Sequence, residues 1–231
     1  MNTYQLARLM DCLLIDPEMS SFGLIQMANV SKDYHIRSVI CYSNGISVLK
    51  NALRNTDTAV NAMIGFPYGQ QMINEKVYEA NMCYQNGADE VSFVPSYLSI
   101  RDRNHTHIEE EMTRMLGVAT RYGKKMNVVI DPSLFSADEL SKISRMVKKY
   151  GFDSMMILSN GLTEDDLIII RSTTNREIRL EVLGEMSFES MAALVKCGVS
   201  RFGMSRPEMI IRDYGDKYGR YYSFCARSYR N

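Results

Sequence analysis

Short apolar runs alternate with stretches of helical period along the whole chain, and the clearest example lies between Ile64 and Tyr97. There an apolar run ends at Phe66, Pro67 and Gly69 break it, and a helical pattern from Glu75 carries Val77, Ala80, Met82 and Cys83 toward a core. Gly87 stops that helix, because a glycine just past a helix end takes left-handed backbone at little steric cost, and the β-rich run Val91 to Val94 follows. The segment therefore predicts a β, α, β unit. The same joint recurs at Gly123 before Val128, at Gly151 before Met155 and at Gly198 before Phe202, so the unit is repeated.

Read in order, the pattern predicts a leading helix within residues 1–12 and a first strand, CLLID, ending at Asp16. Helices over Ser21 to Tyr34 and Gly45 to Asn55 flank the strand SVICY, and a third strand runs from Asn61 to Phe66. After the unit described above, SIRDRNHTH reads as a polar loop and Ile108 to Tyr122 as a helix, followed by the strand MNVVID. Ser136 with Glu139, and Thr163 with Asp166, have the spacing of capping boxes that open helices reaching Tyr150 and Thr174. SMMIL, RLEVL and RFGM complete the strands, with a helix from Ser187 to Cys197 before the last.

Eight strands alternating with helices, and no glycine-serine or proline-rich linker, predict an α/β fold: one TIM (β/α)8 barrel domain spanning residues 1–231, with a tyrosine-rich tail over 213–231. A doubly wound open sheet is the competing arrangement, but no GxGxxG follows any strand.

The chain has 231 residues, 45% of them hydrophobic, which suits a single barrel domain. Formal net charge is zero and no run of five like charges occurs, so the field needed for nonspecific phosphate-backbone contact is lacking and no nucleic acid partner is expected. The five cysteines form no CxxC pair and read as reduced thiols rather than as zinc or redox ligands. Without a signal-peptide pattern, and without an apolar run near the roughly 20 residues that cross a bilayer, the expectation is a cytoplasmic protein with no membrane contact.

Barrels of this kind place chemistry at the C-terminal ends of the strands. The predicted rim offers Asp16, Cys41, Tyr42, Tyr68, Ser92, Ser96, Tyr97, Asp131, Ser159, Asn160, Glu181, Glu185, Ser205 and Arg206, with no lysine or histidine among them. The ten lysines fall in predicted helices or their flanks, where they read as solvated. Imine chemistry needs an amine desolvated in a pocket, and this rim supplies none.

IGFPYG, then Lys76, Glu79 and Ala80, then NGADEV, VVIDPSLFSADEL, GFDSMMILSNG and GVSRFGMS together resemble the deoxyribose-phosphate aldolase family, class I aldolases on a TIM barrel. The resemblance covers nearly the whole chain and implies a homodimer. It also implies a Schiff-base lysine on strand six, a second lysine on strand seven and an aspartate on strand four, acting on a phosphorylated deoxysugar. Those positions hold Met156, Glu181 and Ser92 here, while Asp16 is read as the retained aspartate that ends strand one. Met156 cannot form an imine, and Glu181 reverses the charge that would lower a neighbouring lysine's pKa. The family's phosphate site, by the same resemblance, falls on Ser159, Gly161, Gly184, Gly203, Ser205 and Arg206. Glu185 stands at the second glycine of a pair there and repels phosphate, and Arg206 is placed to offset it.

The expectation is an aldolase-like protein without imine catalysis, a pseudoenzyme that binds a small phosphorylated or sugar-like metabolite, with Asp16, Ser92 and Glu181 as its catalytic-position residues and no cofactor or metal. Two alternatives stand beside it. One is a lyase or other enzyme using Asp16, Asp131 and Glu181 as acid, base or metal ligands, against the bland reading in which Asp131 faces a helix N-terminus and Asp16 bonds backbone amides. The other is an aldolase by a different route. His105 and His107 lack a third ligand and read as solvated loop, the seventeen methionines read as core filler, and Cys41, with no histidine beside it, reads as a buried thiol. The tyrosine-rich tail suits either a cover for the rim or a subunit contact.

Overall fold

In a computed structural model of the chain, residues 1–218 are described, and eight parallel strands close into a barrel in the order β1 to β8. The strands are β1 Met10–Leu14, β2 Ser38–Tyr42, β3 Ala59–Ile64, β4 Glu90–Phe93, β5 Lys125–Ile130, β6 Ser154–Leu158, β7 Arg179–Leu183 and β8 Arg201–Met204. The helices are α1 Thr3–Ala7, α2 Ser21–Asp33, α3 Ile46–Ala52, α4 Ile73–Gln85, α5 Tyr97–Arg101, α6 His105–Tyr122, α7 Ala137–Tyr150, α8 Glu164–Thr174, α9 Phe188–Lys196 and α10 Pro207–Tyr218. The TIM barrel expectation holds. Among the described residues no helix is long and apolar enough to cross a membrane. Most of the tyrosine-rich tail, residues 219–231, lies outside the described residues.

The local signals work as chemistry says they should. Gly123 and Gly151 end α6 and α7 with left-handed backbone, φ 61° and 75°. Ser136 and Glu139 exchange hydrogen bonds at the start of α7, and Thr163 and Asp166 do the same at the start of α8, so each box satisfies two otherwise orphaned amides. β3, expected to reach Phe66, ends at Ile64, and two further departures bear on the site. β1 runs from Met10 to Leu14, so Asp16 lies beyond the strand rather than ending it. The stretch expected as a polar loop holds α5 and the first turn of α6, because Ser96 and Asn104 each accept an amide hydrogen bond, from Ser99 and His107, and so cap two helices in succession.

Each strand has two faces with different composition. Positions such as Cys12, Val39, Val91, Phe93, Ile157 and Phe202 are buried and pack beneath the helices. The alternate set follows the register around the barrel: Asp11 pairs with Ser38, Asn61 with Glu90, Ser92 with Asn127, Met156 with Glu181, and Gly203 with both Leu183 and Asp11. Contacts between non-adjacent strands, Arg37 to Glu90 and Ser92 to Met156, show that this second set points into the lumen.

Candidate functional site

The lumen is layered. Its floor is charged: Arg37, at the entry to β2, places Nη2 2.7 Å from Asp11 Oδ1, Nη1 2.8 Å from Glu90 Oε1, and Nη2 3.9 Å from Glu181 Oε2. Ser38 Oγ donates to Asp11 Oδ1 at 2.5 Å, and Lys125 approaches Glu90 at 3.6 Å from the outer edge. Burial opposes the charge on Arg37, but Asp11, Glu90 and Glu181 outweigh it and hold the guanidinium firmly protonated. For Asp11, burial pushes the carboxyl up and Arg37 more than reverses this. For Glu181, burial and then the neighbouring Asp11 charge raise the pKa well above the usual carboxylate range.

Above the floor lies a neutral polar tier. Ser92 Oγ sits 2.9 Å from Asn61 Oδ1 and 3.0 Å from Met156 Sδ, and its single proton belongs on the oxygen, the stronger acceptor. Asn127 Nδ2 donates to Ser92 Oγ at 3.1 Å, and Ser154 Oγ donates to Asn127 Oδ1 at 2.8 Å. Two residues further along β1, β2, β3, β5, β6 and β7, past Asp11, Ser38, Asn61, Asn127, Met156 and Glu181, the next inward positions are apolar: Leu13, Ile40, Met63, Val129, Leu158 and Leu183. A methyl group added at Gly203 would collide with Leu183 Cδ2 and stand 3.7 Å from Ile40 Cδ1, so side chains already fill the lumen there. Ser92, Met156 and Glu181 consequently sit beneath this cover, at most 1% exposed.

The carboxylates expected to converge do not. Asp16 is exposed and accepts the Glu18 amide at 2.8 Å, closing a local turn. Asp131 accepts the Ser133 amide at 3.1 Å and its hydroxyl at 2.6 Å, the bland role considered for it. The inward carboxylate of β1 is Asp11, whereas Asp16 lies two residues past the strand, where the pleat no longer aims it at the lumen. Among the described residues no group of three histidine, cysteine or carboxylate side chains is arranged to hold a metal. His107 lies on α6 and meets Ser99 Oγ through Nδ1 at 2.9 Å. Burial pushes the Cys41 thiol up to about 12, which makes it inert at neutral pH.

At the ends of β6 to β8, the groups expected to receive phosphate are occupied by protein. The Ser159 amide donates to Leu183 O and the Gly184 amide to Gly203 O, both at 2.8 Å. The Ser205 amide donates to Glu185 Oε1 at 2.9 Å, so this carboxylate takes the place an incoming anion would need. Arg206, expected to offset Glu185, instead pairs with Glu208 at 2.5 Å. Gly161 (φ 68°) packs on Ser133, and Gly184 is pressed against Ser159, leaving no room for a Cβ. A cleft of about 130 Å³ remains between the ends of β1 and β2, lined by Asp16, Met19, Cys41, Tyr42 and Asn44.

One amine departs from its expected solvation. Lys76 of α4 is fully buried, with Nζ 2.5 Å from Glu111 Oε1 and 2.9 Å from Val94 O, just past the end of β4. Glu111 Oε2 accepts the Ser96 amide at 2.9 Å, tying the pair to the β4–α5 turn. Burial lowers the Lys76 pKa, against the opposing pull of Glu111. Its partners place it in the layer between α4 and α6. The signal was present in the pattern: Lys76 shares the buried stripe of Ile73, Ala80 and Cys83, and Glu111 shares that of Ile108, Met112 and Met115.

No family model matches the chain. It is 25% identical over 224 residues to a deoxyribose-phosphate aldolase of Thermococcus kodakarensis, covering 94% of this chain and 100% of the relative. It is 26% identical over 211 residues to deoxyribose-phosphate aldolase 2 of Staphylococcus aureus, covering 89% of this chain and 95% of the relative. The fold superposes on the tetrameric deoxyribose phosphate aldolase of Aeropyrum pernix with a TM-score of 0.82 at 19% identity, covering 94% of this chain and 93% of that one. Homology of this extent supports membership of the deoxyribose-phosphate aldolase and class I aldolase superfamily.

Proposed function

We propose that this chain is an aldolase-superfamily barrel that has lost imine catalysis and binds a small sugar-like metabolite at its rim. The observation that carries the reading is Met156: it stands where the resemblance puts the Schiff-base lysine, and neither β6 nor β7 contains a lysine. Ser92 and Glu181, at the other two positions, lie under an apolar cover where a rim-bound substrate does not reach them. Between the two ligand classes, the geometry favours an uncharged polyol over a phosphorylated one, because Glu185 and strand carbonyls take the amides at Ser205, Ser159 and Gly184. Cytoplasmic residence and self-association as a homodimer remain part of the proposal, the latter testable by light scattering on a sizing column.

A second reading, aldolase chemistry by another amine, has Lys76 in its favour, a desolvated ammonium beside the end of β4. Acid–base or metal chemistry by Asp16, Asp131 and Glu181 has no such support, since the three side chains serve separate structural roles. Borohydride reduction in the presence of deoxyribose 5-phosphate, read by intact mass, separates the two supported readings. No covalent mass increase is expected; an adduct mapped to Lys76 would overturn the first reading in favour of the second. Thermal shift with neutral sugars and their phosphate esters then tests the ligand class, with stabilisation by the neutral sugars alone as the expected result.

A further inference from the structure

The lumen floor holds more carboxyl groups than its buried cation can neutralise. Arg37 spends Nη2 on Asp11 and Nη1 on Glu90, and Lys125 adds a second contact to Glu90 from the edge. Glu181 is left with a guanidinium nitrogen at 3.9 Å and no closer cation. Asp11 and Glu181 flank the same guanidinium nitrogen, Arg37 Nη2, at 2.7 and 3.9 Å, and each has an oxygen, Asp11 Oδ2 and Glu181 Oε1, that is buried with no hydrogen-bond partner. Two ionised carboxylates in that position would each bury an unsatisfied acceptor and repel the other. A single proton between them turns one oxygen into a donor and satisfies both.

We propose that Asp11 and Glu181 share one proton across the barrel lumen, carried on Glu181, and that this proton locks β1 to β7 beneath the apolar cover. The assignment to Glu181 follows from the partners: Asp11 Oδ1 already takes Arg37 at 2.7 Å and Ser38 at 2.5 Å, which favour its ionised form. The other charged groups facing the pair are Glu90 of β4, Lys125 of β5, and Arg201 of β8, which neighbours Glu181 in the ladder. Arg179 opens β7 two residues before Glu181, and its half-exposed guanidinium reaches toward Asp153 instead.

The sign of the pH effect follows. A carboxyl whose folded pKa is raised binds its proton more tightly when folded, so stability declines as pH climbs above the unfolded glutamate value of about 4.3 and continues to decline until the folded group ionises. Asp11, whose pKa is lowered, acts in the opposite sense and below that window, losing its contribution as pH falls.

Two measurements on the whole chain test this. Infrared spectroscopy of the wild type at pH 7 should show the carbonyl stretch of a protonated carboxylic acid, sensitive to deuterium exchange and absent from Glu181→Gln. Urea titrations over a pH series should show the folding equilibrium of the wild type falling about tenfold per pH unit relative to Glu181→Gln, whose amide mimics the neutral acid. Absence of the band, or parallel pH profiles for the two proteins, would overturn the proposal. Should Glu181→Gln fail to fold, isotope editing of the wild-type band with labelled glutamate decides the matter alone.

Discussion

The two faces of the same eight strands obey different rules. Outward positions such as Phe93, Ile157 and Phe202 are apolar and packed against helices, whereas the lumen positions one residue away carry Ser92, Met156 and Arg201. The outward face is what any helix-wrapped barrel requires, because a parallel sheet buried on both sides must be covered. The inward face carries the particular history of the molecule: a charged floor, a neutral tier and an apolar cover, in an order that no packing rule demands. The difference teaches that burial alone says little about function here, since Ser92 and Met156 are as fully buried as Phe93 and Ile157 beside them.

The sharpest way to break the comparison is to put the same charge on each face. Ile157→Lys would bury an ammonium among aliphatic side chains with no acceptor, a penalty of several kcal/mol that approaches the whole stability of a domain. Met156→Lys, one residue away, places the ammonium beside Ser92 Oγ and near Asn61 and Asn127, which supply acceptors. Circular dichroism melts should therefore find Ile157→Lys largely unfolded and Met156→Lys folded with a lowered melting temperature. Equal losses would show that the lumen is no more tolerant of charge than the outer layer.

A smaller effect is expected from removing the cation that the floor is built on. Arg37→Met leaves Asp11 and Glu90 buried without their guanidinium, and breaking a buried pair from one side costs about 3–5 kcal/mol. Urea unfolding at neutral pH measures it. The loss should shrink at acid pH, because protonating the stranded carboxylates removes most of the penalty; a pH-independent loss would mean that Arg37 acts by packing rather than charge.

The outer face was far more legible in the sequence than the inner one, for physical reasons. Glycine joints and capping boxes are written in adjacent residues, so Gly123, Gly151, Ser136 and Thr163 announce helix ends without knowledge of the fold. Strand direction is not local in that way. Placing CLLID as the first strand put Asp16 at its end, while the alternation of Asp11 and Leu13 with Cys12 and Leu14 marks Asp11 as the inward carboxylate. Lys76 and Glu111 were hidden for another reason: a charge on an apolar helical stripe is legible only when its partner, 35 residues away, is read with it. The exchange of anion for protein at the rim depends on the rotamer of Glu185, and nothing in the sequence encodes that directly.

The rim tests the comparison at its weakest edge, where side chains are exposed and act by occupation rather than by burial. Glu185 is exposed, and its bond to the Ser205 amide bridges the β7 and β8 ends on the surface, so Glu185→Ala should move stability by no more than about 0.5 kcal/mol. What it should change is access. With the carboxylate gone, the Ser205 amide at the start of α10 regains a free hydrogen, and the helix N-terminus behind it favours an anion. Titration calorimetry with inorganic phosphate should then register weak binding to Glu185→Ala and none to the wild type. Binding to both proteins would mean that the carboxylate swings aside without cost, and the preference for an uncharged ligand would lose its basis.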